Sequence, residues 1–193
     1  YASLWSGIKC VTDIVESGAT VELAASRVQP VIPTDFELPP GGLGIRINFI
    51  DFLGEEARLL NFKLPAVKAY VRANGLNRVM WRERAGVKPT LGIASAGKAY
   101  ADLRQALADL GIDEKTAADL GIRLFKIGVT WPLEESGVRD FGDGLTEIFV
   151  VEEKRPVIEA QIKDILYGTA NPPRVTGKVD ESGRTLLPLN GEL

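Results

Sequence analysis

The sequence predicts an α/β fold, a three-layer domain in which a mostly parallel open sheet carries helices on both faces. Residues 87–168 alternate between short extended segments and helical segments, the order that gives parallel strands joined by crossover helices. The run Thr90-Leu91-Gly92-Ile93-Ala94 is apolar throughout, as in strands that are buried on both faces. Between the strands, apolar residues recur at helical spacing, so one stripe of each helix can cover the sheet.

Residues 1–45 precede this domain and have a less regular pattern. Between residues 8 and 26, apolar residues first repeat three and four apart and then alternate beyond Gly18, which predicts a helix followed by a short extended piece. Prolines and glycines dominate residues 29–44. Their Gly41-Gly42-Leu43-Gly44 run lacks the preceding strand and the spacing of a dinucleotide-binding fingerprint. We interpret this stretch as a connector.

The sequence pattern predicts a helical arm over residues 46–86. One helix is expected from Asp51 to about Leu60, and Pro65 suits the first position of a second helix that ends in a left-handed turn at Asn74-Gly75. The apolar side chains of the arm need a partner surface, in the following domain or in a neighbouring chain. They are Leu59, Leu60, Phe62, Val67, Tyr70 and Val71.

The elements of the main domain follow in order along the chain. Strands are expected at 90–94, 122–127 and 147–151. Helices are expected at 98–110, 113–120, 134–141 and 156–167. Beyond them, residues 176–187 have the pattern of a hairpin with its turn at Glu181-Ser182-Gly183.

Composition excludes several kinds of chemistry. The chain has one cysteine, Cys10, and no histidine, so it cannot form an intramolecular disulfide, the usual cysteine and histidine zinc sites or a four-cysteine iron–sulfur site. Catalysis by Ser-His-Asp or Cys-His groups is excluded as well. No apolar run approaches the roughly 20 residues that cross a bilayer. We expect a soluble, cytoplasmic protein that is not associated with membranes.

Charge is unevenly distributed along the chain. The net charge is −3, yet residues 46–86 carry eight Lys/Arg against four Asp/Glu. No aromatic stacking platform is interleaved with these basic residues. We therefore expect a solvated helix face and no nucleic-acid partner.

One motif matches a cofactor signature on spacing alone. Gly142-Asp143-Gly144 is followed, after 26 intervening residues, by Asn171, as in the signature that binds the diphosphate of thiamine through magnesium. That signature needs a buried strand before it and a helix after it. Here a polar amphipathic segment precedes and the strand at 147–151 follows. We interpret the motif as a glycine-terminated helix that turns into a strand.

Four residues are candidates for an anion-binding or interface site: Ser95, Gly97, Glu152 and Glu153. They follow the first and third strands, at the carboxyl edge where open α/β sheets place their functional groups. Backbone N–H groups at the helix start after Ser95 can hold an anion. Ordinary turn chemistry at 95–97 and a neutralised charge cluster at 152–155 remain open as alternatives. We assign no catalytic, cofactor-binding or metal-binding residue.

Taken together, nine segments resemble the indolepyruvate ferredoxin oxidoreductases, a branch of the 2-oxoacid:ferredoxin oxidoreductases, in the long fused form of the enzyme. The segments are WSGIKCVTD at 5–13, RIN at 46–48, EARL at 56–59, KLPA at 63–66, RAN at 72–74, KIG at 126–128, WPL at 131–133, VVEEKR at 150–155 and GK at 177–178.

The resemblance implies a division of the chain and a parent activity. Residues 1–45 would be the tail of a thiamine pyrimidine-binding domain with a connector, 46–86 a helical arm, 87–170 a transketolase C-terminal-like domain and 171–193 an extended tail. In the family, thiamine diphosphate attacks the keto carbon of an aryl pyruvate, carbon dioxide leaves, coenzyme A takes the acyl group, and electrons reach ferredoxin through iron–sulfur clusters.

We expect this chain to be an internal segment of such an enzyme. It would bind neither thiamine diphosphate, magnesium nor iron–sulfur clusters, would be inactive alone, and would contact other domains, other subunits or a second copy in a homodimer. Two hypotheses follow. A structural and interface domain should expose apolar patches, whereas an independent nucleotide- or anion-binding regulatory module should gain thermal stability with its ligand.

Overall fold

A computed structural model describes residues 1–18, 20–24, 26–45 and 48–190. The chain divides into two compact units, Tyr1–Gly75 and Leu76–Leu193. No helix within the described ranges combines the length and the apolar character that a membrane crossing needs. Arg46 and Ile47, quoted above, lie outside the described residues, as do the side chains of Asp13 and Ile14.

Among its described residues, the first unit contains three α-helices, α1 (Thr12–Val15), α2 (Phe52–Arg58) and α3 (Leu64–Ala73). The predicted helix near residues 8–15 is therefore only four residues long, and residues 20–24 form no strand. A four-residue helix closes too few backbone hydrogen bonds to offset the free-energy cost of nucleation. The helical spacing of the apolar residues was therefore not enough to extend it.

The arm is one continuous helical segment. The two predicted helices are present as α2 and α3, and a π-helical turn at Leu59–Lys63 joins them without a non-helical break. Pro65 cannot donate a backbone hydrogen bond, and its ring crowds the preceding turn. The wider π turn, in which the Leu64 N–H reaches the Leu59 carbonyl, accommodates it without a break. Gly75 then ends the segment at φ +55°, as predicted.

The second unit is built on a five-stranded sheet with the order β1-β3-β2-β4-β5. Its strands are β1 (Asn77–Trp81), β2 (Leu91–Ala96), β3 (Ile122–Ile127), β4 (Glu147–Val151) and β5 (Arg174–Thr176). β1 is antiparallel to β3, and the other pairs are parallel. The predicted mostly parallel open sheet is confirmed, with two edge strands, β1 and β5, that the sequence analysis did not predict.

Helices cover both faces of this sheet. They are α4 (Gly97–Asp109), α5 (Glu114–Leu120), α6 (Glu135–Gly142) and α7 (Val157–Leu166). Phe125, Ile148 and Val150 form one core with residues of α6 and α7. Ile93 and Leu124 point to the opposite face, where they form a second core with residues of α4 and α5. The three-layer arrangement follows from the alternation of side chains along each strand.

The tail after β5 turns back on itself. Val179 and Thr185 form an antiparallel bridge, and Gly183 occupies the turn at φ +82°. The predicted hairpin-like turn at 181–183 is confirmed, although the pairing is a single bridge rather than a ladder.

Candidate functional site

The candidate residues lie at one edge of the sheet. β2, β3, β4 and β5 are parallel, so their carboxyl ends share that edge. Ser95 is in register with Val151 on the neighbouring strand, which directly precedes Glu152. The structure therefore brings the ends of β2 and β4, with their candidate side chains, next to each other.

Ser95 joins two strands. It is fully buried, and its hydroxyl donates to the carbonyl oxygen of Val151 at 2.7 Å. Gly97 begins α4 at φ +57°, a left-handed conformation that strains any other residue. Ala96 at the N-cap supplies no side-chain acceptor, so the first N–H groups of α4 keep the orientation that suits an anion. Anion binding at this turn stays a prediction.

Glu152 caps the next helix. Its carboxylate accepts hydrogen bonds from the backbone N–H groups of Val157 at 3.1 Å, Ile158 at 2.9 Å and Glu159 at 3.0 Å. A negative charge at this position also complements the dipole of α7. The N-terminus of α7 is thus occupied by a carboxylate of the protein itself. Glu153, half-buried beside it, has its own interaction within the fold.

Sequence analysis missed two buried charges at this edge, Glu159 and Lys178. Glu159 accepts from the backbone N–H of Lys178 at 2.9 Å and from the Lys163 ammonium at 2.6 Å. The Lys178 ammonium donates to the carbonyl oxygens of Glu152 and, at 3.1 Å, Pro188. These hydrogen bonds hold the tail against α7 and the end of β4. One signal was available, because Glu159 lies within the apolar stripe of α7, beside Ile158 and Ile162.

A buried arginine, Arg123, holds the C-terminal end of α6. Arg123, on β3, donates to both carboxylate oxygens of Glu83 at 2.6 and 2.7 Å. The same guanidinium donates to the carbonyl oxygens of Phe141 at 2.8 Å and Asp143 at 2.7 Å. The hydrogen bonds that Arg123 donates to Glu83 hold the pKa of Glu83 below its ordinary value and raise the pKa of Arg123. This arrangement is structural because each of the three guanidinium nitrogens donates to a group of the fold.

The thiamine-like motif has the wrong surroundings for a cofactor. Helix α6 precedes Asp143 and strand β4 follows it, the reverse of the order that the signature needs. Asp143 instead terminates α6, and its carbonyl oxygen accepts from Arg123. The residues present do not fit a magnesium diphosphate. Elsewhere in the described part of the chain, no group of three or more histidine, cysteine or acidic residues could hold a metal ion.

Comparison with known proteins gives a family match over most of the second unit. The model of the indolepyruvate oxidoreductase domain matches residues 78–193, more than half of the chain. The indolepyruvate oxidoreductase subunit IorA of Thermococcus kodakarensis is 34% identical over 77 residues, which are 40% of this chain and 11% of that protein. IorA of Methanothermobacter thermautotrophicus is 28% identical over 123 residues, which are 64% of this chain and 18% of that protein. The chain thus spans less than a fifth of these relatives.

Among solved structures, the chain is similar to a 2-oxoglutarate:ferredoxin oxidoreductase from Magnetococcus marinus, solved with 2-oxoglutarate, coenzyme A and succinyl-CoA bound. The sequences are 17% identical, and the superposition covers 79% of this chain and 24% of that chain with a TM-score of 0.44.

Proposed function

Because the chain belongs to the indolepyruvate oxidoreductase domain family, we propose that it is a structural and interface domain of a thiamine-diphosphate-dependent 2-oxoacid ferredoxin oxidoreductase. The resemblance predicted from the sequence is confirmed by that match. The parent enzyme would oxidatively decarboxylate aryl pyruvates such as indolepyruvate in the cytoplasm. Thiamine diphosphate, magnesium, the iron–sulfur clusters, coenzyme A and ferredoxin would all be bound outside this chain.

The distribution of apolar side chains carries the proposal. Among the described residues, 25 large apolar side chains are exposed, and 17 of them lie in residues 1–60. Of the 26 buried apolar residues in the described ranges, four lie in the first unit. Exposed apolar surface on this scale is typical of an interaction site, because water contact with such surface is unfavourable.

The carboxyl edge supports the same conclusion. Ser95, Glu152, Glu159 and Lys178 all direct their polar atoms to other groups of the fold. Groups that are held in this way position strands and helices, and they are not poised to take protons from a substrate. A role in building the enzyme therefore fits them better than a role in its chemistry.

Calorimetric titration of thiamine diphosphate with magnesium tests the proposal. We expect no binding heat with this chain and binding with the longer enzyme that contains it. Micromolar binding to the chain, lost in Asp143→Ala, would make Gly142-Asp143-Gly144 a cofactor site and contradict the proposal. A rise in melting temperature with nucleotides would instead favour the regulatory module.

A further inference from the structure

The segment from Phe49 to Leu60 displays apolar side chains on its outer side. Phe49, Ile50, Phe52, Leu53 and Leu60 are 76%, 95%, 66%, 79% and 55% exposed. We call these five residues the α2 patch. Two aromatic rings and three aliphatic side chains amount to several hundred Å² of apolar surface, since a single aromatic side chain can bury roughly 150–250 Å². Patches of that size mark interaction sites on soluble proteins.

Helix α2, which carries Phe52 and Leu53 of the patch, presents its apolar face to solvent. On an ordinary surface helix the apolar stripe faces inward and the charged face is solvated. Here Leu53, Ala57 and Leu60, spaced to lie on one face, are all exposed, whereas Glu55 and Arg58 are half-buried on another. Asp51 caps the helix start, accepting from the Gly54 N–H at 2.9 Å, so the helix begins at Phe52. An outward apolar stripe needs a partner.

The charges around the patch are predominantly acidic. Asp51 and Glu56 are exposed among the patch residues, whereas Glu55 lies on the half-buried face. Arg58 is the basic residue of the segment, and its guanidinium is directed to the carbonyl oxygen of Gly42. A partner with basic residues beside its apolar surface would therefore be attracted, and one with acidic residues repelled.

Resting on the proposed function, we propose that the α2 patch docks an amphipathic helix from another polypeptide of the oxidoreductase, with lysine or arginine beside its apolar face. Residues 49–60 span at most about three helical turns, or ~18 Å, which matches the apolar stripe of a short helix. A second copy of this chain would bring like charges together. An anionic membrane surface would be repelled by the same carboxylates.

Two synthetic peptides test this directly. Each is an amphipathic helix of about 14 residues with leucine on one face. The other face carries lysine in the first peptide and glutamate in the second, which is the control. We expect the lysine peptide to bind the full chain at least about tenfold more tightly by fluorescence anisotropy, and to weaken as salt screens the charges. Leu53→Asp should abolish that binding, whereas Leu110→Asp, also at an exposed leucine but on the second unit, should leave it unchanged.

Several outcomes would overturn the proposal. They are equal binding of the two peptides, no binding of either, or binding that survives Leu53→Asp in a chain with an unchanged melting temperature. Self-association that Leu53→Asp removes in sedimentation would make a second copy the occupant, and patch-dependent binding to phosphatidylglycerol vesicles would make it a membrane. The cofactor titration above does not involve the patch, so failure here and failure of the proposed function are separate results.

Discussion

Glu152 illustrates, at the residue scale, how an acidic group at a sheet edge can be structural. Its carboxylate lies within hydrogen-bonding distance of three successive backbone N–H groups of α7. Sequence analysis placed this residue correctly at the carboxyl edge, because it directly follows an apolar strand. The capping role was not predictable, since it depends on the path that residues 153–156 take before α7 begins.

Removing this cap should destabilise the second unit. We expect Glu152→Ala to lower the free energy of unfolding by about 1–2 kcal/mol, since three N–H groups lose their acceptor. Urea unfolding followed by circular dichroism measures the change. Asp164→Asn, at an exposed position on the same helix, is the control and should change stability little. An equal loss in both variants would show that the cap contributes nothing specific.

The Glu83–Arg123 pair predicts how stability depends on pH. The pKa of Glu83 is lowered in the folded chain, chiefly by the hydrogen bond from Arg123. The ionised carboxylate therefore stabilises the fold at pH values above about 4.3, the ordinary value for glutamate. That contribution is lost as the pH falls through the depressed pKa, because protonation then breaks the pair.

Glu83→Gln tests this dependence. The variant should be less stable than the parent at neutral pH and nearly as stable at the acidic end, so its melting temperature should vary less with pH. Scanning calorimetry from pH 7 down to the acid transition measures both curves. Parallel curves would mean that Glu83 has the same pKa in the folded and unfolded chains.

At the scale of elements, burial decided which strands were predictable. β2, β3 and β4 are central and covered on both faces, so their sequences are apolar and their positions were predicted within a residue or two. β1 begins with Asn77-Arg78 and lies at one edge, and β5 is three residues long at the other. Edge strands are half-solvated, so their sequences lack the apolar pattern that identifies a strand.

The position of the tail is a second feature that could not be predicted from the sequence. Lys178 is buried and joins the tail to the end of β4 through the carbonyl oxygens of Glu152 and Pro188. We expect Lys178→Met to release residues 178–190, because the methionine keeps the apolar stem and loses the donor. Limited proteolysis should cleave the variant faster in this stretch, whereas Lys154→Met, at an exposed position, should leave cleavage unchanged. Unchanged cleavage of Lys178→Met would show that the hydrogen bonds of the Lys178 ammonium are not needed to hold the tail in place.

For the whole molecule, the two units differ in how much apolar surface they bury. Both apolar cores of the described part of the chain consist of residues of the second unit. We expect residues 76–193 alone to unfold cooperatively in scanning calorimetry, with a melting temperature near that of the whole chain, because its cores are complete. Residues 1–75 alone should show no cooperative transition. A second unit that fails to fold alone would contradict this division.

We propose that residues 1–60 form an interface surface that the assembled enzyme covers. Hydrogen exchange followed by mass spectrometry, on this chain alone and on the longer enzyme that contains it, measures this coverage. We predict that amides in residues 49–60 exchange quickly in the chain alone and are strongly protected in the enzyme, while β2, β3 and β4 are protected in both. Equally fast exchange of residues 49–60 in both proteins would show that the enzyme leaves this surface uncovered.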